Sequence, residues 1–438
     1  MNKLAKNKLI CFLFFVFAIH WGLKAEQSEF QRQLETLPEV VSVQKIDHHP
    51  FFKETFEVMI DQYLDHGNPQ AGKFLQRLIV SDYNSYSPVI FVTEGYVADY
   101  AIKSSYINEL SGIIEANQLV VEHRYFGKSV PDDKNWDYLT MANAAADLHR
   151  IHRIFERIFN KNNKWVATGI SKGGSNTMAY HAYYPDDMDI WIPYVGPINQ
   201  AIEDTRMGKF IEKEVSSQTC RQKVLDFQIN VLKNRDLIQP LLDSLLQAKE
   251  YSFFIPNDQV LDYCALEFSF AFWQWGNSCK EIPTDTASTR DLFNYLVKII
   301  DPSYFSKEKL VSIKPFFIQT LKEFGYYAYN IKPLQDYLHI TTTKEYIENV
   351  FLKDEPKFDY NKKTAKFISK AVQKNGDHML LIYGQYDPWI AGAVIPKKSS
   401  KAILEVKEKG SHRARINNMS YAQQSEIYML LETWLEED

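Results

Sequence analysis

Gly169-Ile-Ser171-Lys-Gly173 is where the types and spacing of residues in this sequence point most directly to chemistry: a serine with glycine two positions away on each side. A strand that turns sharply into a helix can hold a serine in a strained backbone conformation only if its neighbours are small. The pattern occurs once in a chain with 17 glycines, and Gly174 allows still closer packing. The helix that follows would aim its N-terminal amides at the serine and favour developing negative charge.

A serine hydroxyl is a weak nucleophile at neutral pH, so this chemistry requires a histidine base and a carboxylate to orient it. Asp387 and His412 supply them, each just beyond an apolar run that reads as a strand: Met379-Leu-Leu-Ile-Tyr383 for the acid and Ala402-Ile-Leu-Glu-Val406 for the base. Asp377 precedes its strand, and Asp354 and Asp359 lie in a different part of the chain, so these three fit poorly. The oxyanion would be held by the backbone N–H of Lys172 and by that of Tyr96 in Thr93-Glu-Gly-Tyr96, where Gly95 gives the backbone room. His149 and His152 share a helix face and His48 adjoins His49, but no third ligand stands at a familiar spacing; no metal is expected. No G-x-G-x-x-G or phosphate-binding loop is present, so no cofactor is expected either.

These residues need elements to place them. Phe56 to Ile60 and Phe74 to Val80 flank Asp65-His-Gly-Asn-Pro69 and predict an antiparallel hairpin. From Val89 the pattern changes to short apolar runs, Val89–Thr93, Leu119–Glu122, Trp165–Thr168 and Ile190–Pro193, separated by amphipathic stretches such as Met141–Phe159. That is how a parallel sheet covered on both faces is written. The alternation stops near Gly196 and resumes near Asp377, and a final helix spans about Ala422–Leu435. The intervening segment has helical periodicity, strongest at Phe227–Leu246, Leu261–Trp275, Arg290–Ile300 and Phe316–Tyr337. The expected architecture is α/β: an α/β-hydrolase fold with a mostly parallel sheet, its core at 26–200 and 370–438 and an inserted helical cap at 201–369. In that fold the triad runs in the order serine, acid, histidine, as it does here.

Residues 1–25 differ from the rest. Lys3, Lys6 and Lys8 precede the apolar run Leu9–Trp21, and Ala25 ends a short polar stretch, the pattern of a cleaved export signal. Removing them takes away four lysines and no acids, moving the formal charge from -5 to -9. A mildly acidic protein lacks the concentrated Lys and Arg that nucleic acid requires, and no other run is long enough to span a membrane. Of the remaining cysteines, Cys220, Cys264 and Cys279, one pair can close in an oxidising compartment; Cys264 and Cys279 are nearer in sequence, but spacing leaves the pairing open.

Val121-Glu-His-Arg-Tyr-Phe-Gly-Lys-Ser129, together with Gly-Ile-Ser-Lys-Gly-Gly, resembles the bacterial secreted prolyl tri/tetrapeptidyl aminopeptidase family, the PS-10 peptidases. The Glu-His-Arg-Tyr block is also similar to the lysosomal Pro-X carboxypeptidase and dipeptidyl peptidase II group, and Gln319–Tyr327 is similar to that group's cap motif. Where the lysosomal group has Gly-Gly-Ser-Tyr-Gly-Gly this chain has Gly-Ile-Ser-Lys-Gly-Gly, which favours the bacterial family. The resemblance implies a serine exopeptidase that removes short peptides from free N-termini, preferring proline at the cleaved bond, with Ser171, Asp387 and His412 as its triad. Such an enzyme needs a carboxylate for the substrate ammonium, and Glu94, Glu122 and Glu323 are the candidates. Aromatics of Phe268–Trp275 or Phe324–Tyr329 would wall a proline pocket or form the cap's own core. The rival readings are an esterase or lipase on the same fold and an inert binding protein.

Overall fold

The structure is a computed structural model that describes residues 27–437; the expected export signal lies outside the described residues. Eleven strands are formed: β1 Val40–Ile46, β2 Glu54–Tyr63, β3 Lys73–Asp82, β4 Val89–Thr93, β5 Asn117–Val121, β6 Trp165–Ile170, β7 Ile190–Tyr194, β8 Glu203–Asp204, β9 Tyr326–Tyr327, β10 Leu380–Gly384 and β11 Ile403–Lys407. Nine of them build one sheet in the order β1-β2-β3-β5-β4-β6-β7-β10-β11. The pairs from β1 to β5 are antiparallel, and from β5 onward every neighbouring pair is parallel. This is the α/β-hydrolase fold.

Alternation along the strands sorts side chains to two faces. Val89 and Phe91 of β4 join the core beneath the helix Met141–Phe155, while Ile90 and Val92 join the opposite core, closed by Ile427, Leu431 and Trp434 of the C-terminal helix Tyr421–Glu436. With both faces covered, β4, β6 and β10 are apolar almost throughout and β5 is so from Leu119 on, which is why they read as continuous runs rather than alternating ones. The hairpin forms as expected, pairing Glu54 with Asp82 and Tyr63 with Lys73. β1 was not foreseen: as an edge strand with Val41 exposed and Ser42, Gln44 and Lys45 among its seven residues, it lacks a clean apolar period.

Between β7 and β10 the chain is mainly helical, with Gln218–Lys233, Arg235–Ala248, Asn257–Gln274, Thr289–Ile299, Lys307–Gln319 and Lys362–Asn375 as its longest elements. The helix expected over Phe227–Leu246 is two helices, broken at Asn234, whose backbone leaves the helical region at φ -94° and ψ 20°. The helix expected over Phe316–Tyr337 ends at a single π-turn, Thr320–Phe324, because Gly325 at φ 69° reverses the chain into β9. β9 pairs in parallel with β8, tying the beginning of the helical segment to its far side. A disulfide joins Cys220 to Cys279, with Cα atoms 5.7 Å apart. The pair nearer in sequence does not form, because Cys264 lies in the middle of the Asn257–Gln274 helix with its thiol in the core. Among the described residues no helix is long and apolar enough to cross a membrane, and no group of three metal-ligating side chains is found.

Candidate active site

Four adjacent parallel strands, β6, β7, β10 and β11, bring their C-terminal ends to one edge of the sheet, and the chain beyond three of them carries Ser171, Asp387 and His412. Ser171 sits between β6 and the helix Lys172–Tyr183 at φ 58° and ψ -122°, a conformation that costs a non-glycine residue on the order of 1–3 kcal/mol. The surroundings enforce it. The Ser171 N–H donates to Tyr194 O at 2.9 Å, and Ser171 O accepts the Ser175 N–H at 2.9 Å. The flanking glycines are required sterically: a Cβ on Gly173 would stand 2.6 Å from Thr93 O, and one on Gly174 2.6 Å from Tyr194 O.

Asp387 is fully buried and bonds His412 Nδ1 through Oδ2 at 2.6 Å, while Oδ1 accepts the Trp389 N–H at 3.2 Å. With Nδ1 facing the carboxylate, the neutral imidazole presents a lone pair at Nε2. Nε2 is buried and has no hydrogen-bond partner among the described residues. The histidine is anchored a second time, by its N–H to Gln274 O at 3.0 Å. Serine and histidine loops converge on Tyr194: its carbonyl holds Ser171, its ring lies 5.6 Å under the Arg415 guanidinium, and Arg415 Nη1 donates to His412 O at 3.3 Å.

Lys172 N–H opens a helix and so has no intrahelical acceptor. Its side chain is buried, donating from Nζ to Gly95 O at 2.7 Å, and desolvation holds the amine well below its ordinary pKa. Gly95 lies against it, since a Cβ there would be 2.7 Å from Lys172 Cβ. Beside the expected second donor, Tyr96, the Gly95 N–H is taken up by the Glu94 carboxylate at 3.2 Å, and the Tyr96 carbonyl accepts the His123 N–H at 3.3 Å. The Tyr96 ring packs on Phe126 and Phe316, at 5.6 and 5.7 Å.

The three carboxylates expected to await a substrate amine are largely taken. Glu122 is completely buried: Oε2 receives Arg77 and the Ala98 N–H, Oε1 the Lys128 N–H at 2.8 Å and Ser129 Oγ at 2.9 Å. The Arg124 guanidinium, two residues on, clamps Asp147 at 2.6 and 2.7 Å and binds the carbonyls of Tyr63, Leu64 and Tyr138. The Glu-His-Arg-Tyr block is therefore a buried brace behind the site. Glu323 receives the Met141 N–H and, at 2.9 Å, Thr364 Oγ1, capping the start of the Met141–Phe155 helix. Glu94 is bound by the Tyr100 hydroxyl, and burial raises its pKa.

Trp389, two residues after Asp387 and not singled out in the sequence, meets Phe270, Tyr326 and Tyr327 at 5.0, 5.4 and 5.5 Å, and Trp275, from the expected aromatic stretch, stands edge-on to His412 at 6.0 Å. Of the aromatics expected to form either a pocket or a core, Phe268 and Phe272 are core, whereas Phe270 and Tyr326 lie against the acid's loop. Glu267 was also missed; the available signal was one acid inside a stretch, Ala265–Trp273, that is apolar but for it and Ser269.

The sequence profile described as PS-10 peptidase S37 matches residues 29–419. The chain belongs to this family. It is a serine hydrolase whose substrates are peptides. It is 26% identical over 378 residues to the prolyl tri/tetrapeptidyl aminopeptidase of Streptomyces mobaraensis, covering 84% of this chain and 76% of that one. A probable serine protease of Arabidopsis thaliana, EDA2, is 29% identical over 152 residues, 31% of each chain. Among solved structures the proline iminopeptidase of Mycobacterium smegmatis aligns over 90% of this chain and 97% of its own, at 12% identity and a TM-score of 0.36.

Proposed function

We propose that this S37 peptidase cleaves by acyl transfer at Ser171 and releases short peptides, three or four residues long, from free N-termini, with proline at the cleaved bond. The observation that carries the catalytic part is the buried Asp387–His412 couple beyond β10 and β11, on the same sheet edge as the strained Ser171 elbow after β6. His412 Nε2 takes the proton from Ser171 Oγ as the oxygen attacks the peptide carbonyl, and Asp387 stabilises the imidazolium. The Lys172 N–H stabilises the oxyanion. Nε2 then returns the proton to the departing amine, and water, activated by the same nitrogen, hydrolyses the acyl-enzyme.

The peptide length and the proline preference draw their support from the Streptomyces relative, named for both. Aromatic walls beside Asp387 suit a flat pyrrolidine ring. The same reading makes the protein an exported one, supported by the leader pattern of residues 1–25 and by the Cys220–Cys279 disulfide. The test is Ser171→Ala, which should retain the wild-type melting temperature and lose fluorophosphonate labelling and at least about 10⁴-fold in kcat. Peptidase activity surviving in that variant would end the assignment. Mass spectrometry of products from a peptide library reads the length of the released piece, and long-chain ester hydrolysis without peptide cleavage would reject the specificity.

A further inference from the structure

Nine carboxylates are buried among the described residues, and seven have a lysine, arginine or histidine nitrogen within 4.0 Å. Of the other two, Glu323 has both oxygens bonded at a helix N-terminus. Glu267 has neither a cation nor a full set of bonds. Its Oε2 accepts the hydroxyls of Tyr327 at 2.5 Å and Tyr329 at 2.8 Å, and its Oε1 makes no hydrogen bond among the described residues. Buried carboxylates without a counter-charge are costly and rare, because desolvation opposes ionisation and nothing inside the protein offsets it. The carboxyl is accordingly pushed up to about 7, burial outweighing the two tyrosine bonds.

Its surroundings fit a ligand. Tyr327 and Tyr329, the two tyrosines bonded to Glu267, line a cavity of about 440 Å³ with Phe270 and Trp273 and with the charged Glu212, Lys213 and Arg221, a volume within the usual range for ligand sites. Phe270 and Trp273 also touch the catalytic side: Phe270 meets Trp389 at 5.0 Å and Trp273 meets Tyr386 at 6.0 Å, and these two partners flank Asp387. Trp273 Nε1 is buried without a partner among the described residues. The helix that carries Glu267 ends at Gln274, whose carbonyl holds the His412 N–H. Seven residues of helix span about 10.5 Å. Three residues of extended chain span about 10 Å.

We propose that Glu267 receives the α-ammonium of the substrate, with the first residues of the peptide in the cavity that its two tyrosine partners line, and that its separation from His412 sets the released piece at about three residues. This rests on the exopeptidase reading above and names the group that enforces it. The ammonium supplies the cation that this carboxylate lacks, and Oε1 is the oxygen left to accept it.

The experiment compares wild type and Glu267→Gln on a tripeptide ending in proline, linked to a fluorogenic amine, with its N-terminus free or acetylated. Wild type should prefer the free peptide by about 30- to 100-fold in kcat/KM, the worth of one or two charge-assisted hydrogen bonds. Glu267→Gln should lose that preference, mainly through KM, leave the acetylated peptide unchanged and keep fluorophosphonate labelling of Ser171. A variant that retains the preference overturns the proposal while the exopeptidase reading stands. A wild type that cuts both peptides equally overturns that reading as well. Should Glu267→Gln lose labelling, Glu267→Asp decides: a KM change confined to the free peptide supports the anchor, and equal changes on both peptides refute it.

Discussion

Glu267→Gln should make the protein more stable above neutral pH while weakening its hold on a free N-terminus. Raising a carboxyl from its ordinary 4.5 to about 7 means that keeping it ionised inside the fold costs about 3 kcal/mol relative to the unfolded chain. The sign follows from proton binding: the folded state holds this proton more tightly than the unfolded one. The penalty is therefore absent below about pH 4.5, grows between 4.5 and 7, and is complete above 7. Glutamine has no proton to lose, and its carbonyl oxygen can accept the hydroxyls of Tyr327 and Tyr329 as Oε2 does. The tyrosines and the thiol around it stay neutral across that window, because burial pushes Tyr304, Tyr326, Tyr327, Tyr329, Tyr346 and the Cys264 thiol upward. At roughly 2.1 cal/mol/K of unfolding entropy per residue over some 400 residues, 3 kcal/mol is a rise of about 3–4 °C in melting temperature. Differential scanning calorimetry at pH 8 and pH 4.5 measures it, with the difference expected at pH 8 and vanishing at pH 4.5. A variant less stable than wild type at pH 8, or an offset equal at the two values, would refute the idea of an uncompensated buried charge.

Other consequences can be measured on the same footing. Cys220→Ser opens a link between positions 59 residues apart and should cost about 4 kcal/mol on loop-closure grounds, seen as a lower melting temperature that added reductant lowers no further. Glu122→Gln removes one of the three carboxylates around the buried Arg77 guanidinium, with Asp99 at 2.6 Å and Glu57 at 3.7 Å remaining, and should cost about 1–3 kcal/mol in urea unfolding. A loss below 1 kcal/mol would mean that the Glu-His-Arg-Tyr block is no brace.

The parts of the fold legible in the sequence are those where one physical requirement dominates. Strands buried on both faces must be apolar throughout, and that is how β4, β6 and β10 announced themselves. The elbow announced itself through sterics, because Gly169, Gly173 and Gly174 lie where carbonyl oxygens leave no room for a Cβ. Asp387 and His412 could be picked out because the chain order and the strand ends already restricted where they could be. What was not legible depends on tertiary partners. The Phe316–Tyr337 stretch has helical spacing, but Gly325 and the pairing of β9 with β8 override it after Phe324. The cysteine pairing turned on which thiol the core had already enclosed.

The candidate amine anchors show the same limit from the other side. Glu94, Glu122 and Glu323 were conspicuous because they stand at strand ends or in a motif, yet a carboxylate's availability depends on what has already bonded to it. Glu122 sits where four donors converge, so selection for an acid there is satisfied by the fold alone. Glu267 is inconspicuous, the third acid of a helix that also carries Asp258 and Asp262, at a buried position whose ordinary occupant would be another hydrophobe. Replacing it with such a residue would relieve the desolvation penalty that the folded protein carries above neutral pH. A group that destabilises the fold and has no cation to bind in it is where a substrate cation completes the structure. On that argument the stability gained by Glu267→Gln and the amine selectivity it loses are two readings of one missing charge.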